Sequence, residues 1–171
     1  MIPRMIFAAL LGGALAACST PAPHPAANTA VARPPSMRAT AIDGKTVDLA
    51  AALESGRTVV LVFWQTWCAS CLAEAPDLAT AARAHPDEIM FVGIVPGPDG
   101  TVDEAKLESL VQRFGLPYAQ VRDRDLAWSQ AFTVTGTPTL IALRADGTAG
   151  WRDHRPPADW LALHRSMRAP R

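Results

Sequence analysis

The sequence has no excess of charge of either sign. Its 171 residues carry 16 basic and 16 acidic side chains, for a formal net charge of +0 at pH 7. No run of like charges occurs, and basic residues do not alternate with aromatic ones. Nucleic-acid binding depends on clustered Lys and Arg that neutralise phosphates. The sequence therefore predicts no nucleic-acid partner.

Metal-binding residue types are also scarce. The chain has three cysteines and four histidines, and only Cys68 and Cys71 are closely spaced. A structural zinc site takes four protein ligands, and neither a second cysteine pair nor paired histidines are present to complete one. We therefore predict no metal site, and we interpret His85, His154 and His164 as solvated or capping groups.

The N-terminus has the pattern of a secretory signal. Residues 1–17 carry one charge, at Arg4, followed by an uncharged run too short to span a bilayer as a helix. Residues 15–18, Leu-Ala-Ala-Cys, resemble a bacterial lipobox, in which the signal is cut before a diacylated cysteine. Cys18 is thus the predicted lipidation site, and its acyl chains would hold the protein on a membrane at about 0.8 kcal/mol per buried methylene. A plain signal peptide is the alternative.

The segment after Cys18 differs from the rest of the chain in composition. Residues 18–36 are rich in proline and alanine and lack apolar periodicity. Such a segment cannot build a core and is interpreted as an extended tether. The sequence therefore divides into a signal at 1–17, a tether at 18–36 and a folded domain at 37–171.

The cysteine pair of this domain lies where a buried strand becomes a helix. Residues 59–63 are continuously apolar, as in a central strand. Cys68 would lie near the N-terminus of the following helix, where unpaired N–H groups and the helix dipole stabilise a thiolate. This position favours a reactive dithiol; a structural disulfide or half of a zinc site are the alternatives. Recurring apolar residues predict one buried helix stripe, formed by Leu72, Ala75, Ala79 and Ala82.

Strands and helices alternate through the rest of the domain. The pattern predicts further strands near residues 37–42, 46–47, 89–95, 118–122, 140–143 and 148–151, and helices near 48–54, 103–114, 126–132 and 157–167. Interleaved strands and helices followed by a hairpin and a closing helix indicate an α/β sandwich. Pro76 lies inside the dithiol helix and is predicted to kink it.

At this point the motifs resemble those of a known family. Residues 63–71, Phe-Trp-Gln-Thr-Trp-Cys-Ala-Ser-Cys, resemble the thioredoxin-superfamily active site, and residues 136–139, Gly-Thr-Pro-Thr, match its cis-proline loop. Within the superfamily the chain is most similar to periplasmic TlpA/ResA-type oxidoreductases. The features behind this likeness are the hairpin at residues 43–45, an inserted segment between Phe91 and Asp125, and Glu74. The implied fold is a thioredoxin-like α/β sandwich with an N-terminal β-hairpin and a central inserted segment.

The resemblance also implies residue roles. Cys68 would be the exposed nucleophile, and Cys71 would resolve the mixed disulfide that Cys68 forms with a substrate. Pro138 would be cis, placing the backbone of Thr137 beside Cys68 to pair with a substrate strand. Trp67 would shape an apolar lip of the site. No cofactor is implied.

The role of Glu74 is inferred from a position at which this chain differs from the family pattern. Thioredoxin keeps a buried aspartate where this chain has Val62. We hypothesise that Glu74 lies under the dithiol and accepts the Cys71 proton instead, because apolar surroundings raise a carboxyl pKa toward neutrality. A surface glutamate is the alternative. A second departure, Ala69-Ser70 between the cysteines, leaves the redox potential open.

Together these features predict a function. We expect a lipid-anchored, periplasm-facing dithiol oxidoreductase that reduces protein disulfides, for example in apocytochrome c or at metal sites. Its electrons would come from a transmembrane thiol reductase. Ser19 after the lipidated cysteine favours the outer membrane slightly. The alternatives are a disulfide oxidase or isomerase, or a thioredoxin-fold copper chaperone, although such chaperones use Cys-x-x-x-Cys.

Overall fold

A computed structural model describes residues 32–170. The strands are β1 (Arg38–Thr40), β2 (Thr46–Asp48), β3 (Thr58–Phe63), β4 (Ile89–Pro96), β5 (Ala119–Asp123), β6 (Thr139–Leu143) and β7 (Ala149–Asp153). The helices are α1 (Leu49–Glu54), α2 (Ala69–Ala84), α3 (Glu104–Phe114), α4 (Ala127–Ala131) and α5 (Trp160–Arg168). The predicted signal at residues 1–17 and the predicted lipidation site, Cys18, lie outside the described residues.

A five-stranded mixed sheet forms the centre of the fold. Its strand order is β5-β4-β3-β6-β7, with β4 parallel to β3 and β5, and with β6 antiparallel to β3 and β7. All six residues of β3 are buried, which explains why this strand is continuously apolar rather than alternating. The sheet and the helices around it are the predicted thioredoxin-like α/β sandwich.

The N-terminal hairpin is a separate two-stranded sheet. Strands β1 and β2 pair antiparallel, and Lys45 N–H bonds the Asp43 carboxylate at 3.1 Å in the turn between them. The hairpin joins the edge of the main sheet through the Ile42 N–H, which donates to Gln120 O at 2.8 Å. The hairpin is therefore present as predicted. The segment predicted as inserted, which begins within β4, contains α3 and β5.

Helices cover both faces of the sheet. On one face α1, α4 and the hairpin pack with the β3 residues Val59, Leu61 and Phe63. On the other face α2 and α5 pack with Val60 and Val62. Helix α3 lies beside α2, and its apolar side chains contact the end of β4 and the dithiol segment. Among residues 32–170, no helix is both long and apolar enough to cross a membrane.

The buried stripe of α2 differs from the predicted one. Leu72 and Ala82 are only partly buried, whereas Ala75 and Ala79 are buried as predicted. The buried set also contains Leu78, which packs against the apolar side chains of β3. Leu78 lies one helical turn after Ala75 and so shares its face, which the predicted spacing from Ala75 to Ala79 passed over. Pro76 lies inside the helix as expected.

Helix α5 begins later than predicted. The sequence pattern placed its start near Pro157, but the first helical residue is Trp160. Asp159 caps the helix, and its carboxylate accepts the Ala162 N–H at 2.9 Å. Aspartate is a favoured N-cap because its side chain satisfies an N–H that has no partner within the helix. The cap, rather than the prolines, sets the start.

Candidate active site

Cys68 and Cys71 form a disulfide at the start of α2. Their Cα atoms are 5.2 Å apart. Cys68 is the N-cap residue, with extended backbone angles, and Cys71 lies in the first helical turn. The strand-to-helix junction predicted from the sequence therefore brings the two sulfurs together.

The sulfur of Cys68 receives two polar contacts. The Cys71 N–H donates to Cys68 Sγ at 3.2 Å, and Ser70 Oγ lies 3.5 Å from the same sulfur. An N-cap side chain takes a hydrogen bond from an N–H that the helix leaves unpaired. In the reduced state the same donor would favour a thiolate over a thiol.

The expected exposure of Cys68 is wrong for the disulfide form. Cys68 and Cys71 are each only 5% exposed, so exposure does not distinguish the two cysteines. The reason is that the Cys68 sulfur turns into the first turn of α2, where it bonds Cys71. What distinguishes the cysteines is the cap position of Cys68, since only its sulfur accepts the helix N–H.

Trp67 lies on the surface next to the disulfide. Its side chain is 70% exposed, and it is the exposed large hydrophobic residue of the described chain. Trp67 and Thr137 line the same groove, which has a volume of about 230 Å³ and is mostly apolar. The structure thus places the two predicted substrate-binding residues around one groove.

The loop before β6 contains the predicted cis-proline. The peptide bond between Thr137 and Pro138 is cis. Pro138 is buried, and Thr139 Oγ donates to Gly136 O at 2.7 Å. Pro138 and Cys71 line one small cavity, so this loop and the dithiol lie close together.

The cavity under the dithiol also contains Glu74. Its volume is about 10 Å³, close to the space that a single water needs. Val62 and Tyr118 contribute to its wall, and burial raises the pKa of Tyr118 above its usual range. Val62 is apolar, so Glu74 is the residue that brings a carboxyl group to the wall of this cavity.

Glu74 has an unusual environment. Its Oε2 atom is buried and has no hydrogen-bond partner within residues 32–170. Burial raises the pKa of Glu74 above its ordinary value, although the charge of Arg155 opposes this shift and that of Asp77 adds to it. The rest of the side chain is partly exposed. A carboxyl group with a raised pKa beside a dithiol is suited to accept and return a proton.

Trp64 is positioned by a polar side chain that is not among the predicted site residues. The Trp64 indole N–H donates to Gln120 Oε1 at 2.9 Å, and Gln120 Nε2 donates to Tyr118 O at 3.0 Å. The Gln120 side chain lies over Gly93, where an added Cβ would collide with the Gln120 amide oxygen. A glycine inside a buried strand often marks the close approach of another group. Gly93 was therefore the one feature of the sequence that could have indicated a side chain packed over β4.

His154 is exposed, as expected of a solvated group, but it also makes a contact that the sequence did not indicate. Its Nδ1 lies 2.8 Å from Pro138 O, so it contacts the cis-proline loop directly. By contrast, His85 is the C-cap residue of α2, and His164 contacts Thr58 away from the site. Within the described part of the chain, no group of three or more His, Cys, Asp or Glu could hold a metal ion.

A redox disulfide at a helix N-terminus that shares a cavity with a cis-proline is the arrangement of thioredoxin-superfamily thiol–disulfide oxidoreductases. Comparison with family profiles agrees with this class. The Redoxin profile matches residues 25–153, and the chain belongs to the Redoxin family.

Individual relatives are consistent with this membership. The chain is 36% identical over 95 residues to the soluble secreted antigen MPT53 of Mycobacterium bovis, covering 55% of this chain and 51% of that relative. It is 33% identical over 97 residues to the thiol-disulfide oxidoreductase ResA of Geobacillus kaustophilus, covering 54% and 51%. The chain thus spans about half the length of these relatives.

A solved structure extends the likeness to the fold. It is that of a secreted Mycobacterium tuberculosis disulfide oxidoreductase described as homologous to E. coli DsbE. The TM-score is 0.59 at 31% sequence identity, and the match covers 76% of this chain and 92% of the other.

Proposed function

We propose that this protein reduces protein disulfides through Cys68 and Cys71. The observation that carries the proposal is the position of Cys68, whose sulfur accepts the Cys71 N–H in the first turn of α2. That position favours the Cys68 thiolate over the Cys71 thiolate as the attacking group. The similarity to proteins named as thiol-disulfide oxidoreductases supports the same activity.

In the proposed reaction the reduced enzyme transfers two electrons. The Cys68 thiolate attacks one sulfur of a substrate disulfide, and the other substrate sulfur leaves as a thiolate. Cys71 then loses its proton and attacks the Cys68 sulfur, which releases the second substrate sulfur. The substrate disulfide becomes a dithiol, and the enzyme ends as the Cys68–Cys71 disulfide. A dithiol donor must restore the reduced enzyme.

Glu74 is proposed to accept the proton that Cys71 loses. The two residues line the same cavity, and one carboxyl oxygen of Glu74 is buried with no hydrogen-bond partner among residues 32–170. An ionised Glu74 would both take this proton and disfavour a second negative charge nearby. The pKa of Glu74 is raised by burial, which moves its titration toward the pH at which thiols exchange.

Substrate binding is proposed at the groove beside the disulfide. Thr137 would offer its backbone to an extended substrate segment, and Pro138 would hold that backbone in place. Trp67 would cover an apolar side chain of the substrate, which is supported by its 70% exposure. Protein disulfides, rather than small disulfides alone, fit a groove with an apolar wall.

The cellular setting is proposed from the sequence. Residues 1–17 would direct export, Cys18 would carry the lipid anchor, residues 18–36 would form the tether, and the folded domain would begin at residue 37. A periplasmic location is supported by the relatives named as secreted proteins. The electron donor would be a transmembrane thiol reductase, and the substrates would include apocytochrome c or metal-site cysteines. The outer membrane is the favoured site of anchoring.

The reduction potential tests the direction of exchange. Purified protein is equilibrated with mixtures of reduced and oxidised glutathione, and the fraction of Cys68–Cys71 disulfide is measured by alkylation. A reductant is expected to give a potential well below about −200 mV. A potential near or above about −120 mV, as in a strong oxidant, would contradict the proposal and favour an oxidase or isomerase.

A further inference from the structure

The turn after β7 lies against the cis-proline loop. Asp153, the last residue of β7, pairs with Leu140 of β6. Because the strands are antiparallel, the residue that follows Asp153 lies beside the residues that precede Leu140. The Asp153 carboxylate accepts the N–H groups of both His154 and Arg155, at 2.6 Å and 3.1 Å. These two bonds fix the turn and direct His154 toward the loop.

The hydrogen bonds of the loop define the role of the His154 ring. Nδ1 lies 2.8 Å from Pro138 O and 3.3 Å from Thr139 Oγ. Pro138 O is a carbonyl and can only accept. The hydroxyl hydrogen of Thr139 is already donated to Gly136 O at 2.7 Å. Both neighbours therefore present lone pairs, so Nδ1 must carry a hydrogen and act as the donor.

The loop is consequently held at two points. Thr139 ties its beginning through Gly136 O, and His154 ties its end through Pro138 O. The residue between these anchors is Thr137, whose backbone we assign to substrate binding. A rigid recognition segment binds with a smaller loss of conformational entropy than a mobile one.

We infer that His154 is a positioning residue that preorganises the cis-proline loop for protein substrates. The inference rests on the proposed disulfide exchange at Cys68 and Cys71. It assigns His154 no contact with the reacting sulfurs, and so its effect is confined to reactions in which a peptide segment pairs with the loop. Small dithiols need no such pairing and are unaffected.

Two substitutions at His154 test the inference. His154→Leu removes the donor, whereas His154→Asn keeps an N–H near the position of Nδ1. His164→Leu is the matched control, because His164 also bonds a threonine through Nδ1, at 3.0 Å from Thr58 Oγ, but lies outside the site. Each full-chain variant is assayed for kcat and KM with insulin as the substrate and excess dithiothreitol as the electron donor. The rate at which dithiothreitol reduces the Cys68–Cys71 disulfide is measured separately, without insulin.

We expect the loss of the His154 donor to change the KM for the protein substrate and no other measured quantity. His154→Leu raises the KM for insulin about 2- to 10-fold, the equivalent of one hydrogen bond, with kcat and the dithiothreitol rate unchanged. His154→Asn returns the KM close to the wild-type value, and His164→Leu leaves it unchanged. An unchanged KM in His154→Leu, or an equal loss in the dithiothreitol rate, would overturn the inference. A wild-type protein that does not reduce insulin would instead overturn the proposed function on which it rests.

Discussion

Alternate residues of β3 face two different environments. Val59, Leu61 and Phe63 pack into an apolar cluster with α1, α4 and the hairpin. Val60 and Val62 face α2 and α5, and Val62 lines a cavity together with Cys71 and Glu74. We call these the apolar face and the dithiol face of β3.

The difference shows how one strand serves both stability and chemistry. Burial of apolar surface provides most of the stability of a fold, and the apolar face consists of side chains suited to it. Thiol exchange instead needs a titratable group near the sulfurs, and a carboxyl group without a partner destabilises the structure around it. Changes on the apolar face should therefore affect folding, and changes on the dithiol face should affect exchange.

The largest expected effect is on the dithiol face and concerns catalysis. In Cys71→Ser, Cys68 can still attack a substrate disulfide but nothing resolves the product. A covalent complex with insulin chains should accumulate on non-reducing gels, and multiple turnover should fall to the uncatalysed rate.

Cys68→Ser is the control for this experiment. It lacks the attacking sulfur and should trap no complex. If Cys68→Ser traps substrate and Cys71→Ser does not, the assigned roles are reversed.

The next largest effect is on the apolar face and concerns stability. Leu61 is fully buried, and replacing a buried leucine by alanine costs about 2–5 kcal/mol. Leu61→Ala should lower the free energy of unfolding by this amount in urea titrations. At temperatures where it stays folded, its Cys68–Cys71 reduction potential should equal that of the wild type.

The neighbouring residue provides the matched control. Val62→Ala removes two carbons from the dithiol face, at about 0.8 kcal/mol each. It also enlarges the cavity beside Glu74, so water can solvate the carboxylate and the pKa of Glu74 should fall. If Leu61→Ala changes the Cys68–Cys71 reduction potential and Val62→Ala does not, the two faces do not have separate roles.

A smaller effect is expected in the pH dependence of stability. Burial raises the pKa of Glu74 above its ordinary value of 4.5. Between the unfolded and folded pKa values the folded state binds more protons, so its stability falls as pH rises through that window. Glu74→Gln removes this loss. The variant should gain stability relative to the wild type as pH rises above 4.5, as measured by urea unfolding at several pH values.

Local sequence predicts the dithiol face only in part. The junction that carries Cys68 and the cis bond at Pro138 belong to short motifs, and both are confirmed by the structure. The contacts of His154 and Gln120 join residues far apart in the chain, and Gly93 indicates only that some group approaches its strand closely, not which one. The predicted exposure of Cys68 is wrong because the exposed area of this side chain depends on the direction in which its sulfur turns when the disulfide forms.

The central claim is that Glu74 governs the ionisation of Cys71. The direct test measures the pH dependence of Cys71 alkylation by iodoacetamide in a Cys68→Ser background, with and without Glu74→Gln. Glu54→Gln is the control, since Glu54 is exposed on α1, on the opposite side of the sheet. We expect Glu74→Gln to shift the ionisation of Cys71 to lower pH, because a negative charge is removed beside the developing thiolate. Identical curves with and without Glu74 would contradict the claim.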